Sequence, residues 1–161
     1  MIKAMILAAA ALTMSATAAD AQTMIQKNNI KVENHLMTPE ALWAMGRIGG
    51  TAASPNGKQI VYQVGYYSVK ENKSHQMLFI MDANGKNKKA LTTDAKSESD
   101  AAWINGGQKI AFLREGQLWS MNPDGTDRKQ LTQDDKGIEG FKFSPDGKNV
   151  ILIKELPYNG T

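Results

Sequence analysis

An all-β chain of repeated four-stranded antiparallel units is what this sequence predicts, and three observations carry the expectation. SPNGK (Ser54–Lys58) returns as SPDGK (Ser144–Lys148), each time ahead of an apolar run, QIVYQV and NVILIK. LFIMDANGKNKKALT (Leu78–Thr92) aligns with LWSMNPDGTDRKQLT (Leu118–Thr132) at a constant offset of 40 residues. KIAFL and VILI are apolar at successive positions, as strands are when both faces of their sheet are covered. Self-similarity at a period of about 40 residues, with four short strands per unit, is the signature of a β-propeller blade.

The N-terminus is set aside first. MIKAMILAAAALTMSATAADAQT carries one early cation, Lys3, then an Ala-rich stretch ending in Ala19-Asp20-Ala21. That is the small-x-small pattern of a secretory signal, with cleavage expected between Ala21 and Gln22. The run is shorter than the roughly 20 apolar residues a membrane span needs; a buried Ala-rich helix is the alternative reading. Residues 1–21 are thus assigned to a signal peptide and 22–37 to an N-terminal extension. With no Cys in the chain, disulfides, thiolate metal sites and an N-terminal lipid anchor are excluded. An exported chain without disulfides fits a bacterial periplasmic or secreted location. The net charge of +3 is spread along the sequence, which argues against nucleic acid as a partner, and against a membrane once the signal is removed.

A short entry helix is expected over 38–47. Thr38 suits the N-cap, Pro39 the first helical position, Glu40 the positive end of the dipole, and Gly46 the stop. The incomplete propeller follows over 48–161. Its first blade, 48–92, has strands at about 49–54, 58–65, 76–81 and 88–92. The second, 100–132, has strands at 100–103, 108–114, 117–121 and 127–131. A partial third, 139–154, has strands at 139–144 and 149–154. About two and a half blades is short of the roughly four to eight with which propellers close, so the sequence reads as the truncated beginning of a larger protein. In Ser-Pro-Asp-Gly-Lys, Pro145 presets φ, Asp146 suits the next turn position, and Gly147 supplies the positive φ of a three-residue hairpin. DANGKN and DGTD lack the ligand spacing of an EF-hand loop, so no metal is expected. Trp103, Trp119, Phe112, Phe79 and Phe143 are assigned to inter-blade core.

Three stretches resemble a known family. SPDGKNVILI and LWSMNPDGTDRKQLT are similar to the repeat of TolB-type propellers, which also builds the propeller of the prolyl oligopeptidase family. MTPEALWAMGRIGGTAASPNGKQIVYQV (Met37–Val64) resembles the N-terminal entry of secreted bacterial dipeptidyl-peptidases and acylaminoacyl-peptidases of that family. The resemblance implies a C-terminal α/β-hydrolase domain with a Ser–Asp–His triad, peptide substrates, no cofactor, and release of dipeptides through an acyl-enzyme. None of the eight serines lies in a Gly-x-Ser-x-Gly elbow, and His35 and His75, the two histidines, have no triad-like neighbours and are read as solvated. No catalytic residue is therefore assigned. The alternative is a periplasmic TolB-like propeller acting as a non-catalytic protein-binding module.

The first repeat interval exceeds the second by ten residues. Ile60 and Met81 are 21 apart where Ile110 and Met121 are 11 apart, so the extra residues fall in GYYSVKENKSHQ, Gly65–Gln76. Strand alternation places this insertion on the face of the disc that holds the entry helix, away from the SPNGK and DANGK turns. In the resembled family that face is expected to look towards the hydrolase. Tyr66, Tyr67 and His75 are then candidate contacts of a domain-interface or substrate-chamber loop, against a longer hairpin with a solvated KENKSH tip.

Overall fold

The computed structural model describes residues 36–91 and 94–155, together with Ile25 and Lys27. The expected signal peptide, its cleavage point at Ala21 and Gln22, and His35 lie outside the described residues.

A helix, α1 (Pro39–Ala44), opens the fold, with the Thr38 side chain accepting from the Ala41 N–H at 3.2 Å. Four strands follow: β1 (Arg47–Ala53), β2 (Gln59–Ser68), β3 (Lys73–Asp82) and β4 (Lys89–Ala90). They pair in sequence order as one antiparallel sheet. A second four-stranded sheet repeats the order with β5 (Glu98–Ile104), β6 (Lys109–Arg114), β7 (Gln117–Met121) and β8 (Lys129–Gln130). A hairpin of β9 (Gly140–Phe143) and β10 (Val150–Ile153) starts a third. The all-β blade architecture expected from the 40-residue offset is thus present. The outermost strands, β4 and β8, are shorter than the sequence suggested.

The two SP-x-GK turns are built alike, atom for atom. In the first, Gly57 N–H donates to the Ser54 carbonyl (2.8 Å), Lys58 N–H to Asn56 Oδ1 (3.0 Å), and Gln59 N–H to Ser54 Oγ (2.9 Å). In the third blade Gly147, Lys148 and Asn149 make the same three bonds to Ser144, Asp146 and Ser144. Gly57 and Gly147 sit at φ 67° and 70°, the left-handed region where a side chain is strained. The serine that opens each motif caps the turn from within, its Oγ accepting from the Gln59 or Asn149 N–H.

Packing lies between sheets. Val61, Leu78, Ile80 and Leu91 of the first unit close on Ile110, Phe112 and Met121 of the second, with Trp103 and Trp119 at the margin. On its other face the second unit buries Ile104, Ala111, Leu113 and Leu118 with Ile138, and Phe141 and Phe143 cover them. Alternate residues of β6 therefore serve different cores, which is why KIAFL has no polar face. Phe79 departs from expectation. It stands between Leu78 and Ile80 in β3, so it projects from the opposite face and stacks on Tyr62 at 5.5 Å. It is not core between the described sheets.

Gly46 also acts differently from its expected role. α1 is followed by extended backbone at Met45 (φ −73°, ψ 134°), not by a left-handed glycine cap. A Cβ at Gly46 would come within 2.8 Å of both Tyr66 and Val64. The glycine is required by close approach of the entry segment to β2.

Candidate functional site: the entry face

The insertion is strand, not loop. β2 and β3 pair without a break from Gln59↔Asp82 to Ser68↔Lys73, joined by a turn with Asn72 at φ 49°. Arg114, the last residue of β6, occupies the level of Val64 in the repeat. β2 continues four residues further, to Ser68, roughly 13 Å at the usual strand rise. Register fixes the side of the disc. Arg47↔Gly65 and Gly65↔Gln76 place the start of β1 and the extended hairpin at one end. Ala53↔Ile60↔Met81 leads to the opposite end, where Asn56-Gly57 and Asn84-Gly85 turn. The hairpin and α1 therefore share an entry face, apart from the glycine turns.

Tyr66 and Tyr67 are successive residues of a strand and point to opposite faces. Tyr66 lies against Gly46. Tyr67 meets Trp43 of α1 edge-on, with centroids 5.7 Å apart, and the Arg47 guanidinium sits 4.5 Å from the Tyr67 ring and 4.6 Å from the Trp43 ring. Cation–π contacts of this length hold the helix, the start of β1 and the hairpin to one another.

His75 corrects its sequence reading. It is 2% exposed, so it is neither solvated nor available as a chamber contact. Its Nδ1 lies 2.9 Å from the Ile25 carbonyl and its Nε2 3.3 Å from the Lys96 carbonyl. The ring ties the N-terminal extension to the segment entering the second sheet. KENKSH looked solvated because its lysines and glutamate are, but β3 carries His75 inward at every second residue.

Sequence reasoning missed an ion cluster at the same end of the second sheet. Glu98 is fully buried, and its Oε1 accepts from Arg114 (2.6 Å) and Arg128 (2.8 Å). Arg114 also bonds Asp94 at 2.9 Å, and Arg128 donates to the Leu91 carbonyl. Burial by itself would raise the Asp94 carboxyl. The Lys96 N–H, the Arg114 hydrogen bond and the charges of Arg114 and Arg128 outweigh it and hold Asp94 below the usual carboxylate range. No pattern announces the cluster, because its members are 4, 16 and 14 residues apart and meet only through Glu98↔Arg114 pairing. These groups satisfy one another and offer no nucleophile–base pair. Among the described residues no cluster of acidic or histidine side chains is arranged to hold a metal ion.

Comparison with known proteins gives this face its context. No family model matches the chain. It is 41% identical over 128 residues to dipeptidyl-peptidase 5 of Porphyromonas endodontalis and 38% identical over 126 residues to that of Porphyromonas gingivalis. These matches take in 77% and 76% of this chain, which spans about 18% of either relative's length. The acylaminoacyl peptidase of Pyrococcus horikoshii superposes on 70% of this chain and 18% of its own, with a TM-score of 0.58 at 15% identity, a likeness of fold. The resemblance read from the TPE-L helix and the SP-x-GK turns thus stands: the chain is similar to a stretch that makes up about 18% of such peptidases, and it shares a propeller-like fold.

Proposed function

We propose that the chain is the N-terminal propeller part of an exported serine dipeptidyl-peptidase, periplasmic or secreted, that restricts access to a C-terminal α/β-hydrolase domain. The observation that carries this reading is the 41% identity to a dipeptidyl-peptidase over most of the chain, together with relatives more than four times as long. Division of labour follows from what the propeller holds. Its polar clusters are internally satisfied and structural, so nucleophile, base and oxyanion donors come from the hydrolase. The propeller contributes a wall that admits peptides by size. The entry face, with its overhanging hairpin and α1, is the side turned towards the hydrolase, where Tyr67 and Trp43 stand at the rim.

The test is the full-length protein expressed from its complete reading frame beside a polypeptide of residues 22–161. The full-length protein is expected to release dipeptidyl chromophores and to lose that activity to a serine-directed inhibitor, while 22–161 is inert. A full-length protein without such activity overturns the reading, as does inhibitor-sensitive hydrolysis by 22–161.

A further inference from the structure

Arg47 is half-buried between two aromatic rings, yet its guanidinium makes no hydrogen bond or ion pair with any described residue. Every other arginine of the two sheets is paired: Arg114 with Asp94 and Glu98, Arg128 with Glu98. A guanidinium presents five donors in a planar fork that matches a carboxylate. Trp43 and Tyr67 engage the charge through their rings and leave those donors open. Apolar residues are exposed along the entry segment and the hairpin tip: Leu42 at 47%, Trp43 at 43%, Met45 at 43% and Val69 at 67%. Lys73 lines one hollow beside Trp43 and Tyr67, Lys70 and Glu40 line a second, and Glu71 stands exposed in the turn between the two lysines. Aromatic residues, Met and Arg gathered in an apolar patch are the composition of a protein interface centre, where few groups carry most of the energy.

We infer that this patch docks the part of the full-length protein that follows residue 161, and that a carboxylate from that part pairs with Arg47. The occupant follows from three observations. More than four-fifths of the relatives' length lies outside the stretch this chain matches. The patch lies on the entry face, beside the overhanging hairpin. The Arg47 guanidinium has no acid partner among the described residues, though Glu40 and Glu71 lie on the same helix and hairpin. The inference rests on the proposed function only in taking the full-length protein to continue as its relatives do.

The experiment uses full-length Arg47→Lys, which keeps the charge and places a reactive amine at position 47. Carbodiimide joins an amine to a carboxylate in contact with it, with loss of water, and peptide mass spectrometry identifies the pair. The expected product links position 47 to an Asp or Glu after residue 161 of the same chain. Full-length Arg47→Ala is expected to be cut between propeller and remainder by limited proteolysis at least about tenfold faster than the parent protein, with the cut rate within the propeller unchanged. A link to Glu40 or another acid before residue 161, a link to a second copy or to added peptide, or no link while Lys70 is modified, each overturns the inference. Cross-linking is read whether or not the protein hydrolyses dipeptidyl substrates, so loss of the peptidase reading and loss of this docking site are separate results.

Discussion

Removing the Glu98 carboxylate is expected to destabilise the propeller region far more than removing any exposed acid. Glu98 is fully buried, and the guanidinium groups of Arg114 and Arg128 reach its Oε1 at 2.6 and 2.8 Å. At an effective dielectric constant of about 20, unit charges about 4 Å apart attract by about 4 kcal/mol. Arg114 keeps Asp94 as a second partner, whereas Arg128 is left with backbone carbonyls. Glu98→Ala therefore strands buried positive charge, and breaking a buried pair from one side costs about 3–5 kcal/mol. The comparison is Glu115→Ala at the same end of the sheet, where Lys96 and Glu115 are each about half exposed; such pairs contribute about 0–1 kcal/mol. Urea unfolding followed by tryptophan fluorescence reads both, since Arg114 lies 5.8 Å from the Trp119 ring. With a slope of about 2 kcal/mol per molar, the Glu98 variant should lose roughly 1.5–2.5 M in midpoint. Equal losses for the two variants, or a Glu98→Ala cost below about 1 kcal/mol, would refute the assignment of this cluster as the polar core of the second sheet.

Two further outcomes follow from exposed groups. Asp124, Asp127, Asp134 and Asp146 are held below the usual carboxylate range, chiefly by hydrogen bonds from Thr126, Lys109, Lys154 and Ser144 respectively. A depressed folded-state value gives stability that is present above the unfolded value of about 3.9 and is lost as pH falls through the folded value, so urea midpoints should drop below about pH 4. A rise on acidification would contradict the sign. In β10, Ile151 and Ile153 are 68% and 57% exposed and face away from Phe141 and Phe143, leaving an uncharged apolar edge of the kind that pairs between chains. A polypeptide of residues 22–161 should self-associate in sedimentation velocity, and Ile151→Lys should reduce it; a monomer at every concentration would count against the open edge.

The repeat was legible because turns and periods are local. Gly57, Gly85, Gly125 and Gly147 are placed where the backbone needs positive φ, and Ile110 and Met121 recur in phase with Ile60 and Met81. What stayed hidden depends on which face has a neighbour. Leu78, Phe79 and Ile80 are equally apolar in sequence, and nothing in them says that only Leu78 and Ile80 meet the second sheet. Glu98 reads as one more acid until register sets it against Arg114. Gly46 looks like a helix stop, and only the nearness of Tyr66 and Val64 gives its actual reason.

The entry motif and the ten extra residues looked like separate features of the sequence, and the structure joins them. A two-stranded hairpin extending beyond its sheet is marginal by itself, and Tyr66↔His75, Tyr67↔Ser74 and Ser68↔Lys73 have no third strand beside them among the described residues. Each supporting contact comes from elsewhere in the chain. Gly46 admits Tyr66 on one face, Trp43 and Arg47 hold Tyr67 on the other, and Ile25 and Lys96 accept from or face the His75 ring. The helix is six residues long, too short to stand without packing, so dependence runs both ways. Substitutions in the entry motif should therefore alter the hairpin, and substitutions in the hairpin should loosen the helix. The bracing also explains why an overhang this long is held as paired strand: its inner residues are committed to the chain's own entry segment, and the surface left over at the rim is that of Trp43, Val69 and the open edge of Arg47.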